Sequence, residues 1–174
     1  MTYVVIAYPE ISDADYERIQ HIREQFDLRQ FNVVKPHVTF IFPTDKLDKN
    51  ELIKHVRNKA NAFKSFGITL DTVKVVEDHS KTYFHAFLVP SEGAEEIIKL
   101  HDAFYTDVLE SELRSDIPFI PHLGIANDDS EQNINDLAKR LSSEGISIKG
   151  EINELTIAEF DGTKVVNVSK VSLL

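Results

Sequence analysis

The sequence predicts an α+β protein built from two similar halves. Three observations carry that expectation. Stretches of strand-like alternation and helical periodicity follow one another in the order β α β α β, and the order then recurs as β α β α β β. A proline-histidine frame stands at the same place in each half, PHVTFIFP from Pro36 and PHLGIAND from Pro121, with its histidines 85 residues apart. No Pro/Gly/Ser-rich linker or low-complexity stretch separates the halves. Residues 1–174 therefore read as a single bilobal domain, with approximate repeats 1–78 and 79–174 sharing one cleft.

Each element has a local reason. Residues 2–8 (TYVVIAY) are rich in β-formers and stop at Pro9. Ser12, followed by Asp13 and Asp15, starts a helix whose apolar stripe, Ile19, Ile22 and Phe26, lasts to about Asp27. Residues 37–42 (HVTFIF) form a strand between Pro36 and Pro43. From Asp48 a helix carries Leu52, Ile53, Val56, Ala60 and Phe63 on one face, and residues 67–77 return as a strand. In the second half, residues 82–89 form a strand that ends at Pro90. A helix is expected over about 93–113, with Ile97, Leu100, Phe104 and Leu109 inward, and a strand over 122–126. Ser130 caps a helix that carries Ile134, Leu137 and Leu141 and stops near Gly145. Two last strands cover about 146–160 and 164–172, around a turn at Asp161-Gly162.

Composition narrows the functional classes. Hydrophobic residues make up 42% and charged residues 28%, ordinary values for a globular protein. No apolar run is long enough to span a membrane, and the N-terminus, MTYVVIAYP, lacks the basic region of a signal peptide, so a cytoplasmic monomer is expected. Cysteine is absent, which removes disulfides, thiol catalysis and cysteine-ligated zinc. A net charge of −10 argues against wrapping a long duplex, because such binding draws its affinity from neutralised phosphates. A small nucleotide or one RNA end in a local pocket stays compatible with it. The chain has no G-x-S-x-G, Walker or G-x-G-x-x-G motif and no H-E-x-x-H or H-x-x-x-H pair, so no metal site and no cofactor are expected.

The two frames carry the chemistry. Residues i and i+2 of a strand share a face. His37 and Thr39 thus project together with Ile41 beyond them, while Val38, Phe40 and Phe42 turn to the core. In the second strand His122, Gly124 and Ala126 share a face, opposed by Leu123 and Ile125. If the halves pack about a pseudo-twofold axis, the two imidazoles meet across a groove. One takes a proton from an attacking oxygen while the other gives one to the leaving oxygen, chemistry that suits a phosphodiester. Thr39 adds a hydroxyl for a phosphate oxygen. His85 and Tyr83, on one face of the strand that opens the second half, either line the cleft or face solvent. Tyr8 reads as rim or core packing rather than a base platform, and Lys35 as a solvated loop residue rather than a phosphate ligand. His21, His55 and His101 lie inside helical patterns.

Two H-x-[ST]-apolar motifs, one per half, resemble those of the 2H phosphoesterase superfamily, which includes the 2′-5′ RNA ligase-like proteins and cyclic nucleotide phosphodiesterases. The first stands as His37-Val38-Thr39-Phe40 and the second as His122-Leu123-Gly124-Ile125. The resemblance implies two mostly antiparallel sheets flanked by helices around a V-shaped central cleft, with pseudo-twofold symmetry. It implies metal-independent cleavage of 2′,3′-cyclic phosphates or 2′-5′ linkages on nucleotides or RNA ends. His37 and His122 become the acid–base pair and Thr39 a phosphate ligand. Where the family has Thr or Ser, this chain has Gly124, so one hydroxyl is missing and only a backbone N–H is available there. The alternative is a non-catalytic module that binds nucleotides or RNA ends.

Overall fold

The computed structural model describes all 174 residues. The chain runs β1 (Thr2–Ala7), β2 (Glu10–Ile11), α1 (Asp13–Phe26), β3 (Val38–Thr44), α2 (Lys49–Ala60), β4 (Phe66–Glu77), β5 (Phe84–Glu92), α3 (Ala94–Phe104), a 3₁₀ turn (Asp107–Glu112), β6 (Leu123–Asp128), α4 (Glu131–Ser143), β7 (Ile148–Ile152), β8 (Glu154–Phe160) and β9 (Val165–Ser172). Three of the four helix starts, those of α1, α2 and α4, are marked by polar caps. Ser12 accepts from Asp15 N–H at 3.1 Å, and Ser130 accepts from Asn133 N–H at 3.4 Å. Asp48 and Glu51 close a reciprocal capping box. No helix is long and apolar enough to cross a membrane.

Two antiparallel sheets result, a four-stranded one in the order β3-β1-β8-β9 and a five-stranded one in the order β2-β7-β4-β5-β6. Each sheet draws strands from both halves of the sequence. β4 pairs with β5, and β8 with β1, so each half donates strands to the sheet begun by the other. A single core of 33 buried residues runs through both sheets and all four helices, which makes the two lobes one packing unit.

Two expected elements are divided. The helix expected to reach about residue 113 ends at Phe104. Thr106 turns its hydroxyl onto Ala103 O at 2.8 Å, and Asp107 takes φ 54°, which an α-helix cannot continue. The strand expected over 146–160 breaks at Asn153. Its buried positions, Ile148, Ile152, Leu155 and Ile157, change parity between 152 and 155, so the two pieces face different layers and join different sheets.

The motif strands depart from simple alternation in matching ways. In β3, Ile6 aligns with Thr39 but Val5 aligns with Ile41; in β6, Phe87 aligns with Gly124 but Ala86 aligns with Ala126. Each strand therefore carries a one-residue bulge two positions after the residue that follows its histidine. Phe40 and Ile41 both enter the core and Phe42 swings to the cleft, reversing the expected facing of Ile41 and Phe42. Likewise Ile125 and Ala126 both pack in the core, and Asn127 joins Ala126 along the cleft. The same irregularity at equivalent places is direct structural support for pseudo-twofold symmetry.

Phe40 is fully buried and meets Phe104 edge-on at 6.3 Å between centroids, joining β3 to α3. Truncation in Phe40→Ala is expected to destabilise the fold by about 3–5 kcal/mol, read as a lower urea midpoint with an unchanged slope.

Candidate active site

The bulged strands β3 and β6 line one cleft of about 840 Å³ between the lobes. Every candidate from the sequence, His37, Thr39, Tyr83, His85, His122 and Gly124, borders it. The two motif histidines are presented alike. His37 Nδ1 lies 2.8 Å from Lys35 O, and His122 Nδ1 lies 2.6 Å from Ile120 O. A carbonyl only accepts, so each ring carries its proton on Nδ1 and leaves the Nε2 lone pair free. The residue skipped by each of these bonds is proline, Pro36 or Pro121, whose fixed φ sets the bend that returns the carbonyl to the ring.

Burial against the cleft walls pushes both imidazoles down to about 4, against the pull of the carbonyl bonds. The Arg23 guanidinium adds to the effect on His37, and His37 and His85 add to it on His122. In the free protein at neutral pH both rings are therefore uncharged bases.

Thr39 reaches the cleft beside His37, and its hydroxyl has no partner among the chain's hydrogen bonds, so it is free for a ligand. At the matching place a Cβ built on Gly124 meets nothing within 4 Å. No neighbour requires a glycine there, and the missing hydroxyl leaves open space.

Tyr83 and His85 extend an aromatic ladder to the second histidine. Tyr83 meets His85 at 4.9 Å, His85 stacks on Phe87 at 4.9 Å, and Phe87 lies almost flat against His122 at 3.6 Å and 17°. Arg29 covers the Tyr83 ring at 4.3 Å. His85 Nε2 stands 3.3 Å from Asp78 Oδ1. Burial opposes ionisation of Asp78, but hydrogen bonds from Ser80, His85 and Tyr83 hold its carboxyl well below the usual range. Burial lowers His85 too, with Asp78 pulling the other way.

Sequence reasoning missed three groups. Phe87 supports the His122 ring; its i+2 spacing from His85 on an alternating strand was the available signal. Arg23 and Asp27 form an ion pair at 2.8 Å with side chains only 1% and 5% exposed. Arg23 also donates to Val34 O at 2.8 Å and to Gln20 Oε1 at 3.1 Å, and Asp27 accepts from Asn127 on β6. A charged i, i+4 pair on a helix reads as solvent-facing, so nothing local marked it. Of the remaining histidines, His55 lies outside the cleft lining with its Nε2 2.8 Å from Phe104 O, whereas His101 borders the same cleft, stacked on Phe119 at 3.7 Å. No group of three His, Asp or Glu side chains converges as a metal site.

Comparison with known proteins agrees with this architecture. "Putative phosphoesterase OB1230" of Oceanobacillus iheyensis is 23% identical over 160 residues, covering 90% of this chain and 88% of its own. "Putative phosphoesterase SaurJH1_1032" of Staphylococcus aureus is 24% identical over 149 residues, 83% of each chain. Among solved structures, E. coli LigT complexed with ATP superposes with a TM-score of 0.60 at 17% identity, over 99% of this chain and 97% of LigT. Kluyveromyces marxianus Usb1 superposes with a TM-score of 0.54 at 14% identity, over 95% and 96%. These likenesses establish a shared fold. The sequence itself matches the 2′-5′ RNA ligase superfamily over residues 11–164, a span that holds both histidine motifs, and to that superfamily the chain belongs.

Proposed function

We propose that the protein is a phosphodiesterase that cleaves 2′,3′-cyclic phosphates or 2′-5′ linkages in nucleotides or RNA ends, using His37 and His122 and no metal. The observation that carries this reading is the matched presentation of the two rings: the same carbonyl bond, the same tautomer, the same bulged strand, one from each lobe, on one cleft. LigT has been crystallised with NADP+, 3′-AMP, ATP and phosphate, and Usb1 with uridine monophosphate; these ligands favour a nucleotide or phosphate in the equivalent cleft.

In the reaction, a water oxygen attacks phosphorus and its proton passes to Nε2 of the neutral histidine. The bond from phosphorus to the ribose 2′ or 3′ oxygen breaks, and that oxygen takes the proton from Nε2–H of the other, charged histidine. The Thr39 hydroxyl donates to a non-bridging oxygen. Because both rings ionise near 4, the charged partner is supplied by binding: the anionic phosphate favours imidazolium beside it.

A second reading rests on Gly124. Without a hydroxyl in the second motif, the cleft binds nucleotides or RNA ends but turns them over weakly or not at all. A hydrogen bond to a charged oxygen contributes about 1.5–3 kcal/mol, roughly tenfold to a hundredfold in rate. Gly124→Thr fits the open space.

Three outcomes are expected. With EDTA present, His37→Ala and His122→Ala each lower turnover of 2′,3′-cyclic nucleotides by about 10²–10⁴-fold; full activity in either variant overturns the acid–base pair. The profile of kcat/KM against pH is bell-shaped with its maximum near 4, and falls as pH rises because the free protein loses its single imidazolium proton. The alkaline limb of kcat lies at higher pH, since bound phosphate raises the donor; coincident or monotonic profiles contradict the mechanism. Gly124→Thr raises turnover about tenfold or more if the natural site is weakened. A drop would instead make the glycine part of a working site.

A further inference from the structure

The sheet face that lines the cleft continues past it. Segment 33–36 crosses this face, tied down by Val165 N–H to Val33 O at 3.0 Å and by Arg23 to Val34 O at 2.8 Å. Val33 and Val34 border the catalytic cleft, whereas Lys35 and Pro36 border a second cavity of about 350 Å³. Strand register puts both cavities on one side of the four-stranded sheet. Tyr8 lies two residues beyond Ile6, just past the end of β1, and Lys170 aligns with Thr156, which aligns with Ile6. The cavity also adjoins both histidines along the chain, because Pro36 precedes His37 and Leu123 follows His122.

Its lining is chemically distinct. The chain has 29 acidic and 19 basic residues, yet this cavity is lined by two lysines and no carboxylate. The chain's lysine ion pairs use Lys59, Lys99 and Lys170, which leaves Lys35 without an acidic partner. Lys170 meets Glu154 at 2.6 Å, an exposed pair that a phosphate can readily exchange. Two aromatic rings complete the wall. Tyr8 donates its hydroxyl to Asn167 Oδ1 at 3.1 Å and is held in place, while Tyr16 faces it from α1 with its hydroxyl unbonded.

We propose that this cavity binds the nucleotide on the 5′ side of the reacting phosphate, so that the preferred substrate is an RNA end of two or more nucleotides. The proposal rests on the phosphodiesterase reading. Lys35 and Lys170 take the backbone phosphate that joins the terminal ribose to its neighbour, and the neighbouring base lies against Tyr16 and Tyr8.

The test compares kcat/KM for a 2′,3′-cyclic mononucleotide with that for a dinucleotide ending in the same cyclic phosphate, at low and moderate salt. The dinucleotide is expected to react about tenfold faster or more, with the advantage shrinking as salt rises. Lys170→Ala and Tyr16→Ala should each remove most of that advantage and leave mononucleotide turnover unchanged. Equal rates for the two substrates, or an advantage that survives both substitutions, overturns the proposal and leaves the phosphodiesterase reading intact. Absence of turnover on both substrates overturns the phosphodiesterase reading instead. The cavity is then read by calorimetric titration with the dinucleotide 3′-phosphate. Binding weakened by Lys170→Ala and Tyr16→Ala sustains the site, and binding unchanged in both removes it.

Discussion

The buried Arg23–Asp27 pair is the contact on which the geometry of the cleft turns. It sits at the C-terminal end of α1, and its remaining hydrogen-bonding capacity reaches in two directions. Arg23 holds Val34 O in the segment that leads to His37, and Asp27 holds Asn127 on the strand that carries His122. One helix end thus ties the segment before β3 to β6 across the lobes. A buried ion pair adds little net stability, because desolvation offsets the attraction, but removing one partner leaves an uncompensated charge and costs about 3–5 kcal/mol. Its value here is geometric. Burial pushes the Asp27 carboxyl up, and the Arg23 hydrogen bond and charge act against that push. The opposite helix does the equivalent work without charge: Tyr105, the residue after α3, accepts Phe42 N–H at 2.9 Å on the other motif strand.

The exchange of strands between halves gives that grip its rigidity. β4 and β8 each pair into the sheet opened by the other half, and the continuous core leaves no separate interface along which the lobes could part. The carbonyl bonds then fix ring orientation and tautomer, and the low-dielectric walls fix charge state. A histidine pair in water would titrate near 6.5; here burial in the walls lowers both rings to about 4.

The matched bulges connect fold to chemistry. Regular alternation would have put Ile41 on the cleft and turned Phe42 and Asn127 away from it. A single extra residue in each strand shifts the facing beyond it, so that the Phe42 ring borders the cleft at one place and the Asn127 amide, bonded to Asp27, at its pseudo-symmetric mate. The two ends of the cleft accordingly differ. Phe42 and Phe119 meet edge-on at 6.5 Å at one, while Asn127 and the Asp78–His85 pair stand at the other. The asymmetry at Thr39 and Gly124 belongs to the same divergence of two equivalent strands.

The sequence by itself determined the α+β class, the recurrence of elements, the helix caps and the identity of the two histidines, because each is written in local periodicity, punctuation or a repeated frame. His37, Thr39, His122 and Gly124 could be placed on one face because i and i+2 lie before the bulge, where alternation still holds. Tertiary structure alone decided which sheet each strand joins, where the bulges fall, and that Arg23 and Asp27 are buried. These depend on partners distant in the chain: Asn127 lies 100 residues from Asp27, and the break at Asn153 has meaning only once β7 and β8 have different neighbours. The histidines' low affinity for protons is likewise a product of assembly, since desolvation arises only when both lobes close around them.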